Sequence, residues 1–104
     1  MKIWLSIATI AVLLIAPLAS ADENGLSLAK QNACMTCHAV DTSIVGPAFK
    51  AVAARYRGDA NAEAMLLQKI KFGGAGAWGK TAMPPYPQAK DEDLRIIIKW
   101  VLSQ

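Results

Sequence analysis

Five consecutive residues, Cys34-Met35-Thr36-Cys37-His38, carry the most specific chemistry in this 104-residue chain. They form the pattern Cys-X-X-Cys-His, the attachment signature of a c-type haem. Two thiols three positions apart sit on about one helical turn, so both reach the vinyl groups of a single porphyrin. The His after the second Cys is then carried under the iron, where an imidazole nitrogen can ligate it.

Other readings of the cysteine pair have less support. A thioredoxin-like dithiol needs a βαβ setting, and the chain has no convincing strand pattern. A structural zinc site needs four ligands, whereas the chain holds two Cys and one His. A disulfide between Cys34 and Cys37 closes too small a loop to staple a fold. The single His falls at the one position that the haem motif requires.

The N-terminal stretch has the pattern of an export signal. Lys2 is followed by an apolar run over residues 3–16, 14 residues long, then Pro17 and an Ala19-Ser20-Ala21 cleavage site. The run is shorter than the roughly 18–20 residues that span a bilayer, so no stable membrane insertion is expected. Residues 1–21 are read as a cleaved signal peptide, with 22–104 as the mature domain of 83 residues in the periplasm. Export suits covalent haem attachment, which is completed outside the cytoplasm.

The mature segment carries ten Lys/Arg against eight Asp/Glu, interspersed and without a long basic run, which gives nucleic-acid binding little support. A domain this small buries a limited core and benefits from a staple. A covalently held apolar macrocycle would serve as one.

Short helices should position the motif. A first helix is expected from near Asn24, with Asn24 as N-cap, running into Cys34. Gly46-Pro47 is read as opening a second helix over 47–57, with Phe49, Val52, Ala53 and Tyr56 on one face and Gly58 at its end. A third helix is expected over 61–72, with Ala62, Met65, Leu66 and Ile70 as its apolar stripe. Met65 is read as core rather than as a ligand. A last helix begins near Asp91, where three acidic residues suit the helix dipole. Leu94, Ile97, Ile98, Val101 and Leu102 give its core face. Trp100 is expected to pack on another helix, with Gly25 small enough to permit a close crossing. Between the third and last helices, residues 73–89 read as a 17-residue loop, too long for a mere connector. Its glycines let the backbone run close to a flat ligand. Its prolines stiffen the segment around Met83, a candidate axial ligand that loses little freedom on binding iron.

Taken in order, Cys-X-X-Cys-His, Val45-Gly46-Pro47-Ala48-Phe49, Trp78-Gly79, Met83-Pro84-Pro85 and Lys99-Trp100-Val101-Leu102-Ser103-Gln104 resemble the small class I cytochromes c, in particular the bacterial cytochrome c-551/c-552 group. The 49-residue separation of Cys34 and Met83 fits that compact branch. The resemblance implies an all-α fold of four or five short helices wrapped around one covalently bound haem c. It implies thioether bonds from Cys34 and Cys37, and axial iron ligation by His38 and Met83. The Pro47 carbonyl would accept a hydrogen bond from the other imidazole nitrogen, and Trp78 would donate its indole N–H to a haem propionate. Lys69 would approach a propionate as well, or lie on a solvated helix face.

Two departures from the group stand out. Members often carry Asn three residues after the axial Met, where it can bond the Met sulfur; here Tyr86 holds that position. They also often have a proline-rich apolar run before the Met, replaced here by Lys80-Thr81-Ala82.

The resemblance implies a monomeric electron carrier and no enzyme activity, with iron cycling between ferrous and ferric states. Expected partners are redox proteins of a respiratory chain, such as nitrite reductase, cytochrome c peroxidase, a terminal oxidase or a quinol-oxidising complex. A docking patch is expected around Met35, Ile44, Val45 and Pro84, rimmed by Lys80. A haem enzyme or gas binder would need an open sixth position, and an assembly subunit would use the haem for structure; both stay open at this point.

Overall fold

The computed structural model describes residues 2–14 and 21–104. Pro17, Ala19 and Ser20 of the expected cleavage region lie outside the described residues. Residues 2–14 form no helix or strand and leave Trp4 and Leu14 exposed.

Four α-helices follow in chain order: α1 (Ala21–Gln31), α2 (Phe49–Tyr56), α3 (Ala62–Phe72) and α4 (Asp91–Leu102). A 3-10 turn, Cys34–Thr36, stands between α1 and α2. An antiparallel hairpin of β1 (Gly74–Gly76) and β2 (Gly79–Met83) stands between α3 and α4. No described helix is long and apolar enough to cross a membrane.

Helix α4 is the packing centre, with α1, α2 and α3 all against it. Its period-3.6 pattern buries Leu94, Ile97, Ile98 and Val101, and Leu102 is half-buried. Burying each such aliphatic chain contributes roughly 1.5–3 kcal/mol. Trp100 is buried as well and lies against Gly25 of α1, where a Cβ would come within 2.1 Å of the Trp100 Cβ. The close crossing therefore requires glycine at that point. Lys71 at the end of α3 pairs with Asp91 at the start of α4 at 2.9 Å, and this hydrogen bond holds the Asp91 carboxyl below its usual range.

Several expectations are corrected. Helix α1 begins at Ala21, so Asn24 lies inside it rather than capping it. Glu23 lies in the first turn, where the dipole favours an acidic residue. The helix does not run into Cys34. It stops at Gln31, the Asn32 amide donates to the Leu28 carbonyl at 2.8 Å, and Ala33 takes a left-handed φ of 59°. Pro47 does not open α2: Ala48 is the extended cap residue and Phe49 the first helical one. The α2 N-terminus instead donates from Phe49 and Lys50 to the carbonyls of Ala39 and Val40, at 2.9 and 3.0 Å. Residues 73–89 are not all loop, since they contain the hairpin. Met65 is exposed and Leu67 takes the buried place on α3.

Gly25→Ala is expected to lower unfolding stability. The overpacking cost, about 1–3 kcal/mol, works against the roughly 1 kcal/mol that Ala gains over Gly in a helix. A denaturant midpoint equal to or above the parent's would show that the α1–α4 crossing does not depend on the missing side chain.

Candidate functional site

The turn after α1 aims the motif. Once Ala33 has broken the helix, Thr36 N–H donates to the Ala33 carbonyl, and both Cys37 N–H and His38 N–H donate to the Cys34 carbonyl, at 3.3 and 3.0 Å. The two cysteines thus share one 3-10 turn rather than the end of an α-helix. Both are half-buried and unbridged. Burial pushes the Cys34 thiol above its ordinary value, partly offset by a backbone hydrogen bond. A reactive redox dithiol shows the opposite shift.

His38 is held from three sides. Its Nδ1 lies 2.8 Å from the Pro47 carbonyl oxygen. A carbonyl only accepts, so Nδ1 carries the proton and Nε2 keeps the lone pair that a metal needs. Proline has no N–H, and its place in an extended segment leaves this carbonyl free for the ring. On a second side the imidazole stacks on Phe49, with centroids 5.0 Å apart and planes 18° apart. Phe49 meets Trp100 edge-on at 5.3 Å. On the third side is Gly46, where a Cβ would lie 2.5 Å from His38 Cε1. Gly46 is fixed by its own N–H, which donates to the Cys37 carbonyl at 2.7 Å.

These residues form one wall of a cavity of about 350 Å³. Val52, Leu66, Ile70, Ile98 and Val101 make its apolar floor, and Met83 and Pro84 line it from the hairpin's end. Lys69 and Trp78 also line it. The Lys69 stem runs beside Gly74, where a Cβ would come within 3.3 Å of Lys69 Cε. The cavity therefore gathers Cys34, Cys37, His38, Pro47, Lys69, Trp78 and Met83, all seven residues singled out from the sequence. Two thiols on one turn, a single-lone-pair imidazole, a thioether and apolar walls suit a flat iron-bearing macrocycle. Among the described residues, no three His, Cys, Asp or Glu side chains gather into another metal cluster.

Met83 is fixed by its neighbours. A Cβ on Gly73 would lie 2.6 Å from the Met83 carbonyl oxygen, and Gly73 has φ 74°, so the segment passes over a position that needs glycine twice over. Two residues past Pro84, Tyr86 N–H donates to the Ile70 carbonyl at 2.8 Å and its hydroxyl donates to Asn32 Oδ1 at 3.3 Å. The Tyr86 side chain thus ties the Met83 segment to the turn that leads into Cys34.

Sequence reasoning missed two contributors. Asn32 both ends α1 and receives Tyr86; its position before a cysteine motif carried no sign of either task. Arg55 places its guanidinium 3.7 Å from the Trp78 ring centroid and donates to the Ala77 carbonyl. In the sequence it is one more cation on a helix.

Comparison with known proteins points one way. The family model described as Cytochrome c matches residues 23–104. Cytochrome c-551 of Allochromatium vinosum is 45% identical over 89 residues, covering 86% of this chain and 92% of that protein. Cytochrome c-552 of Nitrosomonas europaea is 41% identical over 100 residues, covering 96% and 94%. The crystal structure of wild-type Nitrosomonas europaea cytochrome c552 superposes with a TM-score of 0.72 at 42% identity, covering 75% of this chain and 96% of that one.

Gly46→Ala should force the imidazole off the Pro47 carbonyl and lower the melting temperature by about 5 °C or more. Nitrogen NMR of the His38 ring checks this; an unchanged hydrogen-bonded Nδ1–H signal would mean that Gly46 does not set the ring's position.

Proposed function

From the premise that this chain belongs to the cytochrome c family, we propose that it is an exported monohaem carrier whose iron is held between His38 and Met83. Membership itself brings covalently bound haem c, electron transport and no enzymatic turnover. The finer assignments rest on one observation: Cys34, Cys37, His38 and Met83 line a single apolar cavity.

In this reading Cys34 and Cys37 form the thioether bonds. Haem c, when bound, supplies an iron that takes up and releases one electron at a time. Pro47 keeps the His38 ring oriented and its Nδ1 protonated, which makes Nε2 a stronger donor. Met83 offers a soft thioether, which raises the potential, and Gly73 and Tyr86 limit its movement. With His38 and Met83 both holding the iron, no coordination place would be left for a substrate. Apolar walls from α2, α3 and α4 keep water out and lower the local dielectric. Trp78 and Lys69 serve the propionates at the rim.

Residues 3–16 and the Ala19-Ser20-Ala21 site support export to the periplasm, with residues 22–104 as the working domain. The carrier works as a monomer and exchanges electrons with respiratory redox proteins: a nitrite reductase, a cytochrome c peroxidase, a terminal oxidase or a quinol-oxidising complex. Ile44, Val45 and Pro84 are exposed and form the docking patch, with the half-buried Met35 at its inner edge and the exposed Lys80 on its rim. Such encounters use small interfaces and separate quickly.

Optical spectra test the ligation. The reduced protein should give a c-type spectrum, and the oxidised protein a weak far-red sulfur-to-iron band that Met83→Ala abolishes. High-spin iron in the unaltered protein, or a band that survives Met83→Ala, would remove Met83 from the iron. Docking is tested separately with Lys80→Glu. Electron exchange with the natural partner should slow by about two- to tenfold at low salt, the gap closing as salt rises. Equal rates and equal salt dependence would take Lys80 out of the patch.

A further inference from the structure

We propose that Arg55 is a positioning residue that latches the β1–β2 hairpin against the body of the protein, closing the haem cavity on its hairpin side. The hairpin has little to hold it by itself. Residues 74–76 and 79–82 are exposed, and neither strand supplies a member of the buried core. Glycine occupies Gly74, Gly76 and Gly79, so side-chain packing across the pair is sparse and the backbone has more freedom to lose. Its register is irregular between the Gly74–Met83 and Gly76–Gly79 pairs.

Backbone bonds fix the hairpin at its base only, through Gly73 N–H to the Lys69 carbonyl at 2.8 Å and Tyr86 N–H to the Ile70 carbonyl. The tip, Ala77-Trp78, is where Arg55 acts. Its guanidinium covers the Trp78 ring at 3.7 Å from the centroid while Nη1 donates to the Ala77 carbonyl. One side chain thus grips both residues of the tip, using a flat face for the ring and an edge N–H for the carbonyl. A lysine ammonium would hold the charge over the ring but lacks that planar fork.

The grip is anchored. Arg55 stands on α2, which buries Phe49, Val52 and Ala53 in the body of the domain. The strip it holds down includes cavity-lining Trp78, Thr81, Ala82 and Met83. Release of the tip lets that wall move about its base, exposes the cavity to water and loosens Met83. The last consequence rests on Met83 being an iron ligand, as proposed above; the latch itself does not.

The test compares Arg55→Ala and Arg55→Lys with the unaltered protein, all loaded with haem. Amide hydrogen exchange at Gly74, Gly76 and Met83 should speed up roughly tenfold in Arg55→Ala, the scale of one exposed cation–π contact together with one charge-assisted hydrogen bond. Amides of α1 and α4 should be unchanged, and Arg55→Lys should recover part of the protection. Displacement of Met83 by added imidazole in the oxidised protein should quicken by a similar factor. Hairpin exchange that does not change, or that rises equally in α1 and α4, overturns the latch. The far-red band lost in Met83→Ala reports on ligation independently, so a failure of that assignment leaves the hydrogen-exchange comparison to decide the latch alone.

Discussion

The absence of a side chain at Gly25 is the constraint on which the site depends. It allows α1 and α4 to close until Trp100 sits against bare backbone. Trp100 then offers its ring to Phe49, and Phe49 offers its face to His38. The orientation of an imidazole on the loop after α1 is thereby coupled, through two ring contacts, to the crossing of α1 with α4, a helix far along the sequence. Close packing makes such a column stiff, since aromatic rings in contact have no room to tilt independently.

The two sides of the cavity are held by different means. On the His38 side, restraint comes from packing and from a backbone carbonyl that Pro47 leaves free. On the Met83 side it comes from a few polar ties around a glycine-rich strip. Tyr86 joins the two by reaching Asn32, so the segment after Met83 and the turn before Cys34 are linked by a side-chain hydrogen bond. The Asn that related proteins often carry at this position would serve the methionine sulfur; here the tyrosine hydroxyl is engaged by the opposite wall.

Much of this was readable from residue types. The cysteine–histidine pattern, the stripe on α4, the Gly25–Trp100 pairing and the seven cavity residues all follow from spacing, size and the resemblance. The misses have physical causes. Alanine carries no preference for left-handed backbone, so nothing marked Ala33 as the break between α1 and the motif. Helix α3 is apolar on several sides, with Ala62, Ala64, Met65, Leu66, Leu67 and Ile70, and periodicity alone could not choose Leu67 over Met65 for the core. The hairpin escaped notice because glycine is a poor strand former and its exposed strands show no alternation of buried and exposed residues. Pro47 looks like a helix opener by type, but α2 starts two residues later; its carbonyl instead takes the imidazole bond that the resemblance implied.

The turn that bears the cysteines has a bearing on the order of assembly. The backbone bonds that shape it run among residues 33–38, while the Cys37 carbonyl also receives Gly46 N–H from beyond the turn. The five-residue span from Cys34 to His38 can therefore take most of its shape while the rest of the chain is still open. Helix α4, by contrast, comes last in chain order and receives every other helix. A growing chain consequently presents its two thiols on a locally bonded turn well before the helix on which the domain packs exists. Local and distant contacts are separated in time as well as in sequence, and the thiols are at their most accessible in that interval.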